Sequence, residues 1–426
     1  MLRNRFLRDV VVLAGGTAGA QAMAIVFSPL ITRLYGPEAF GVLGTFMALA
    51  AIISPLAALS YPVAMVLPRA DSAARGIARL SLVIAFSIAA MALVILVVAD
   101  NDWLAGTLGV GPLGPYLWLV PLVLIFAAWQ QIAQQWLVRT RAFKGIAGAL
   151  AMNALLVNLL KAGGGLLFPS ALILIGLQVA GLGSQALMMA RAALRSGLTL
   201  RDTGEMASRG LARQYREFAL YRTPQNVINA LSQHLPVIML VSFFGAGAAG
   251  FYALARMVLY APSLLVSRSV GDVFYPALTK RAQQGMPLAG ALIRLTLLLL
   301  GLVVIPFGVV MIWGPGLFAL IFGREWAQAG EYAQWLALMM LFGFCNRPCV
   351  VATATLRIQR GLMIYELFST GLKIIAMYWG LVIMRDDGIA VALFSVSGAL
   401  SYIALIVWVI QVALRRDRQE ARANGR

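Results

Sequence analysis

Apolar residues run along this chain in long, nearly uninterrupted blocks, not in the stripes of a surface helix or the alternation of a half-buried strand. Blocks of about 18 residues or more recur at 10–32, 40–67, 79–99, 116–138, 146–168, 171–190, 226–244, 250–270, 291–313, 331–355, 363–384 and 388–413. A helix rises about 1.5 Å per residue and a bilayer core is about 30 Å thick, so each block predicts one membrane-crossing α-helix. The fold class expected is therefore all-α and polytopic, with about 12 transmembrane helices. Almost nothing separates the blocks at 168–171 and 384–388, which predicts tight helical hairpins there. Pro55, Pro62, Pro236 and Pro262 fall inside blocks, where each removes a backbone hydrogen bond and permits a bend.

Composition narrows the class. Of 426 residues, 61% are hydrophobic and 12% charged, against about a quarter charged in soluble domains. A cytosolic enzyme, a disordered region and a secreted disulfide scaffold are excluded. The net charge of +18 would suit nucleic-acid binding, but its distribution favours another reading. With the N-terminus in the cytoplasm, 27 of the 34 basic residues fall on the inner side. Only Arg33, Arg324 and Arg385 fall outside, and Lys161, Arg256, Arg347 and Lys373 lie within spans. This is the positive-inside pattern of a membrane protein with both termini cytoplasmic; no nucleic-acid partner is expected. The opening MLRNRFLR resembles a signal peptide, but no clear small-residue cleavage site follows, so it predicts a retained first helix. Cys345 and Cys349 sit a turn apart in one apolar block and read as core residues. One histidine, His234, gives a His-based metal site nothing to build with, and no phosphate-binding glycine loop occurs.

The chain repeats itself. Tyr35-Gly36-Pro37-Glu38-Ala39-Phe40-Gly41 and Phe244-Gly245-Ala246-Gly247-Ala248-Ala249-Gly250 both read [YF]-G-x4-G, 209 residues apart. Arg141-Ala142-Phe143-Lys144-Gly145 and Arg357-Ile358-Gln359-Arg360-Gly361 both read R-x-x-[KR]-G, 216 apart. The organisation expected is an N-lobe over 1–195, a cytoplasmic linker over 196–225, a C-lobe over 226–414 and a basic tail over 415–426. Six spans per lobe is an even number, so the lobes point the same way, related by a pseudo-two-fold along the membrane normal.

Three stretches carry a family resemblance: Leu30 to Gly41 (LITRLYGPEAFG), Gly250 to Arg256 (GFYALAR) with Pro262 beyond it, and Leu320 to Gly330 (LIFGREWAQAG). They resemble the Wzx-type polysaccharide (O-antigen) flippases of the multidrug/oligosaccharidyl-lipid/polysaccharide exporter superfamily. The resemblance covers nearly the whole chain. It implies non-enzymatic export of an undecaprenyl-diphosphate-linked oligosaccharide across the bacterial inner membrane by alternating access. It implies no resident cofactor, with H+ or Na+ as the coupling ion. The partners implied are the lipid-linked glycan, membrane lipids, and the polymerase and glycosyltransferases of the same pathway.

The residues support an anionic cargo independently. A charge at the bilayer centre costs about 2.5–3.5 kcal/mol on insertion scales, so buried charges face partners or water. Arg256, Arg347, Lys373 and Lys161 are the candidates for holding a diphosphate, Arg through paired hydrogen bonds and Lys as a point charge. Snorkelling or internal ion pairing is the alternative. Arg347 falls opposite Gln131 in the repeat, and Lys161 and Lys373 one helical turn from equivalence. Glu366, the main acidic residue within a span, is the ion-coupling candidate; it could equally pair with Arg360 or Arg357. Asn226, Asn229 and Gln233 share one helical face, and Gln21 stands in the equivalent first span. With Gln131 they are candidates for contacting sugar hydroxyls, though such stripes also tie helices together.

Three other functions fit part of the pattern. A drug/cation antiporter of the same superfamily should line its cavity with carboxylates. An O-antigen polymerase or ligase generally needs a sizeable outer loop with catalytic Arg or His. A lipid II flippase usually has two further spans.

Overall fold

The computed structural model describes residues 2–199, 208–284, 286–356 and 358–423. Among them every regular element is helical and no strand occurs. Among the described residues, ten helical stretches are long and apolar enough to cross a membrane. Two of these, Val12–Leu56 and Phe218–Tyr260, have 45 and 43 residues, about twice what one crossing needs. Each is two helices joined at a kink, which accounts for the difference from the twelve blocks. The kinks fall on Gly36 (φ 69°, ψ 172°) and Gly245 (φ 82°, ψ −175°), a region open essentially only to glycine. These are the first glycines of the two [YF]-G-x4-G segments.

The last glycines of those segments meet each other. A Cβ added to Gly41 would lie 1.7 Å from the Ala246 carbonyl oxygen and 2.9 Å from the Gly250 nitrogen. A Cβ on Gly250 would lie 2.2 Å from the Pro37 carbonyl oxygen and 3.0 Å from the Gly41 nitrogen. Pro37 and Ala246 are 209 apart, as are Gly41 and Gly250. The contact is thus reciprocal, and the sequence repeat becomes a local two-fold.

Two compact units emerge, Met1–Gly250 and Phe251–Arg426. The first therefore holds residues 226–244 as well as the six spans before them. In it, α1 (Leu2–Ile53) packs on α4 (Phe143–Leu167), while α3 (Val120–Arg139) packs on α2 (Asp71–Val98) and α5 (Ala171–Arg195), and the long kinked helix α6 (Thr223–Gln283) begins here. Its core gathers Met65, Ile77, Trp136, Met189 and Leu211. A second layer is built of Ala57, Ala58, Ala85, Ala89 and Ala128, small residues that let helices approach closely without a hydrophobic drive from water. The short connection after Leu167 is the predicted hairpin: Ser170 caps α5 by accepting from the Ile173 N–H at 3.4 Å. Outward faces are apolar, as in α2, whose most apolar window has a mean hydropathy of 2.9 and is only 22% buried; that suits lipid.

In the second unit α7 (Ala289–Phe322) pairs with α8 (Ala327–Cys345), and α8 and α10 (Gln359–Trp379) pack on α11 (Asp387–Ala423). Between α8 and α10 lies the short helix α9 (Arg347–Thr355). Cys345 and Cys349 are buried free thiols, the latter in a core with Leu292, Leu405 and Val409. One device ties the start of α7 to the far end of α11. The Asp417 carboxylate accepts from the Leu288 N–H at 3.0 Å and the Ala289 N–H at 2.9 Å. A remote aspartate thereby caps the start of α7, where helical N–H groups have no internal partner. Asp417→Ala is expected to cost about 1–2 kcal/mol, read as a lowered midpoint of thermal unfolding in detergent, whereas substitution of exposed Arg418 leaves it unchanged.

Candidate functional site

The second span is not the continuous helix expected over 40–67. It is helical to Ile53, runs through a 3₁₀ turn at Ser54–Leu56, and resumes as 3₁₀ at Tyr61–Val66. Pro55 and Pro62 bracket the break; each lacks an N–H and clashes with a preceding turn. Between them Leu59 (φ 47°) and Ser60 (φ 55°) adopt left-handed backbone, at a cost of about 1–3 kcal/mol each. The surroundings hold them there. The Ser60 hydroxyl accepts from the Thr223 hydroxyl at 3.0 Å and the Asn226 amide at 3.3 Å. The Gln131 amide donates to the Ser54 carbonyl at 3.2 Å, and the Tyr61 hydroxyl to the Ala212 carbonyl at 3.1 Å. Arg139 closes the far end. It donates to the carbonyls of Met65, Pro68 and Arg69 at 2.9, 2.6 and 3.1 Å and pairs with Asp71 at 2.9 Å.

This broken stretch walls a cavity of about 250 Å³, lined by Ser54, Pro55, Ser60, Pro62, Gln131, Gln135 and Asn226 together with Ala51 and Val63. Non-helical backbone at membrane depth is tolerated where it is buried or lines a wet cavity. Of the residues singled out in sequence, Gln131 and Asn226 are brought together here. Gln21 is half-buried and does not line this cavity. Asn229 and Gln233 are exposed, with the Gln233 amide donating to Asn229 at 2.5 Å. Lys161 is buried in the helix pair α4–α5, its ammonium bonded to Gln178, while the Tyr35 hydroxyl donates to the Lys161 carbonyl at 2.9 Å. Asn153 in α4 likewise bonds Ser184 and Gln185 in α5, so this helix pair is tied by polar contacts along its length.

The second unit brings four other candidates together. The Lys373 ammonium lies 5.8 Å above the Tyr402 ring, and the Arg256 guanidinium 5.9 Å from the Tyr260 ring, both within cation–π reach. Tyr402 also lies within electrostatic range of Arg347, Arg256, Glu366 and Tyr260, and Lys373 within range of Glu366. Two glycines make the room. A Cβ on Gly343 would lie 3.0 Å from the Tyr402 ring, and one on Gly398 would collide with the Met339 side chain and lie 3.3 Å from the Lys373 stem. Arg347 opens the short helix α9, directly after the interruption at Asn346. Glu366 is exposed and makes no ion pair with another described residue; Arg357, one partner considered for it, lies outside the described residues. Lys373 thus stacks on Tyr402, with Arg256, Arg347 and Glu366 in electrostatic range of the same tyrosine.

Two central residues carry no mark in the sequence. Tyr402 is one aromatic in an apolar block, and Ser60 one hydroxyl among alanines. The one available signal for Ser60 is the pair of prolines around it.

The sequence model of a family described as polysaccharide biosynthesis protein matches residues 30–331. No curated protein matches the chain. Among solved structures, it is similar to a lipid II flippase, MurJ, in an inward closed conformation, with a TM-score of 0.72 at 14% identity, covering 96% of this chain and 90% of that one. It is also similar to an inward-facing multidrug resistance MATE family transporter of the MOP superfamily, at TM-score 0.65 and 14% identity over 95% of both chains. A third likeness is to a MOP superfamily transporter from Pyrococcus furiosus, described by a binding pocket of reversed polarity, at TM-score 0.59 and 14% identity over 96% of each. At these identities the shared property is the fold.

Proposed function

The chain belongs to the polysaccharide biosynthesis protein family, and we propose from this premise that it is a flippase for a polyprenyl-diphosphate-linked oligosaccharide. The observation that carries this reading is the cluster of Arg256, Arg347 and Lys373 around Tyr402 within the spans. Three cations against one exposed carboxylate suit an anionic headgroup, and a diphosphate offers the oxygens that Arg binds in pairs. Undecaprenyl diphosphate is the carrier proposed, and the bacterial inner membrane, with both termini cytoplasmic, the location. The headgroup is taken up on the inner side, the protein alternates its access, and the prenyl tail stays in lipid. No bond in the cargo is made or broken. An inside-negative potential favours outward movement of an anion by about 2.3 kcal/mol per charge per 100 mV. Glu366, within range of Lys373, is the residue proposed to couple H+ or Na+ to the cycle.

The test is reconstitution of the full chain into liposomes with a fluorescent polyprenyl-diphosphate-linked sugar, following the fraction shielded from an external quencher. Equilibration faster than in protein-free vesicles is the expected result. A cationic dye forms the second arm. If the dye moves and the lipid does not, the drug/cation antiporter reading replaces this one.

A further inference from the structure

The cavity in the first unit is not explained by the headgroup. It lies among residues 51–226, is walled by a strained, unwound stretch of span, and has no charged side chain among its described lining residues. We propose that it is a subsite for one uncharged sugar ring of the cargo, built on Ser60.

Four observations support this. First, the lining mixes amides and hydroxyls (Ser54, Ser60, Gln131, Gln135, Asn226) with apolar carbons of Pro55, Pro62, Ala51 and Val63. Amides both donate and accept, as do sugar hydroxyls, and the apolar carbons suit a ring's C–H faces. Second, the volume of about 250 Å³ lies just below the usual range of ligand clefts, which begins at about 300 Å³. It fits a single ring, not a chain of several. Third, left-handed backbone at two consecutive non-glycine residues is strain of the kind that clusters at ligand sites. Here it turns the Ser60 hydroxyl to meet Thr223 and Asn226. Fourth, Gln131 occupies the position that the repeat equates with Arg347. One duplicated position is neutral and lines this cavity; the other is cationic and belongs to the cluster around Tyr402. The division of labour follows: the second unit binds charge and the first binds hydroxyls. A carboxylated sugar entering the first site would be desolvated without a cation to meet it.

The inference rests on the flippase reading, and the experiment separates the two. Wild-type protein is reconstituted and given three fluorescent probes: bare polyprenyl diphosphate, the same lipid bearing a neutral hexose, and the same lipid bearing a hexuronic acid. Gln135→Ala, Asn226→Ala and Ser60→Ala follow in parallel, each checked for a monodisperse profile in detergent. Gln135 makes no contact that holds the break, so its variant stands if the other two fail to fold. The neutral hexose probe is expected to be moved at lower half-saturating concentration than the uronic acid probe. The variants should raise that concentration about tenfold, the loss of one buried hydrogen bond, and leave the bare diphosphate unchanged. If all variants treat the hexose probe as wild type does, or if they alter only Na+ dependence, the subsite is overturned and the flippase reading stands. If wild type moves none of the three probes, the flippase reading falls instead.

Discussion

Gly41→Ala is expected to abolish the folded protein or nearly so, although glycine to alanine inside a helix is ordinarily stabilising. The reason is one distance: the new methyl would lie 1.7 Å from the Ala246 carbonyl oxygen, inside any permitted contact. Nothing flexible can yield, because the obstacle is backbone on both sides. Relief requires the two helices to separate at the point where the repeated segments cross. Overpacking typically costs about 1–3 kcal/mol and occasionally more, and a rigid backbone obstacle belongs at the upper end. Gly250→Ala should behave alike, since its methyl would lie 2.2 Å from the Pro37 carbonyl oxygen. Gly247→Ala is the control: it lies in the same segment and its Cβ would meet nothing within 4 Å. Thermal unfolding in detergent should therefore show Gly247→Ala at or above wild type and the other two far below it. If Gly41→Ala unfolds with the wild-type midpoint, the close crossing is not a feature of the folded protein.

That crossing also illustrates how much the sequence can carry. The motif [YF]-G-x4-G is legible, and so is its recurrence 209 residues later. The blocks of apolar residues forecast the helices because lipid leaves the backbone few alternatives. What the motif does not contain is that its two copies touch; contact between distant segments is a property of packing, which no periodicity encodes. The same limit applies to the sites. Arg256, Arg347, Lys373 and Glu366 are visible because a charge in an apolar block is costly. Tyr402 is invisible because an aromatic there costs nothing. Gln131 and Asn226 are visible as polar interruptions, but Asn229 and Gln233 share their signal and prove exposed. Lys161 shows the same ambiguity: its burial against Gln178 is a partner that spacing alone does not supply. The break at Leu59–Ser60 was hidden because proline in a span more often bends a helix than ends it.

Arg347→Gln, Arg256→Gln and Lys373→Met are each expected to slow movement of the diphosphate-linked probe by about ten- to a hundredfold, since a hydrogen bond to a charged group contributes roughly 1.5–3 kcal/mol. Lys373→Met keeps nearly the whole side-chain length, and the two Arg→Gln changes keep the stem to Cδ and a polar amide while removing the guanidinium. The losses should appear mainly in the half-saturating concentration, because the role proposed for all three groups is to hold the bound headgroup. Lys373→Arg should recover only part of the activity: the planar guanidinium must share the space that Gly398 leaves for a lysine stem. Tyr402→Phe keeps the ring beneath the Lys373 ammonium and should retain most of the flipping. Tyr402→Leu removes the cation–π contact and should resemble Lys373→Met. Glu366→Gln should act oppositely on affinity, because it removes the cluster's one carboxylate and leaves the headgroup a more positive site. If Glu366 couples the ion, the same variant loses its response to an imposed H+ or Na+ gradient while still binding the lipid. If instead all three cation variants flip at the wild-type rate, the charges do not hold the headgroup, and lowered unfolding midpoints in the same variants would assign them to structure alone. The headgroup site must then be sought elsewhere. The three cations would still need an explanation for their desolvation, which Tyr402 and Tyr260 alone supply weakly, at about 0.5–2 kcal/mol per cation–π contact.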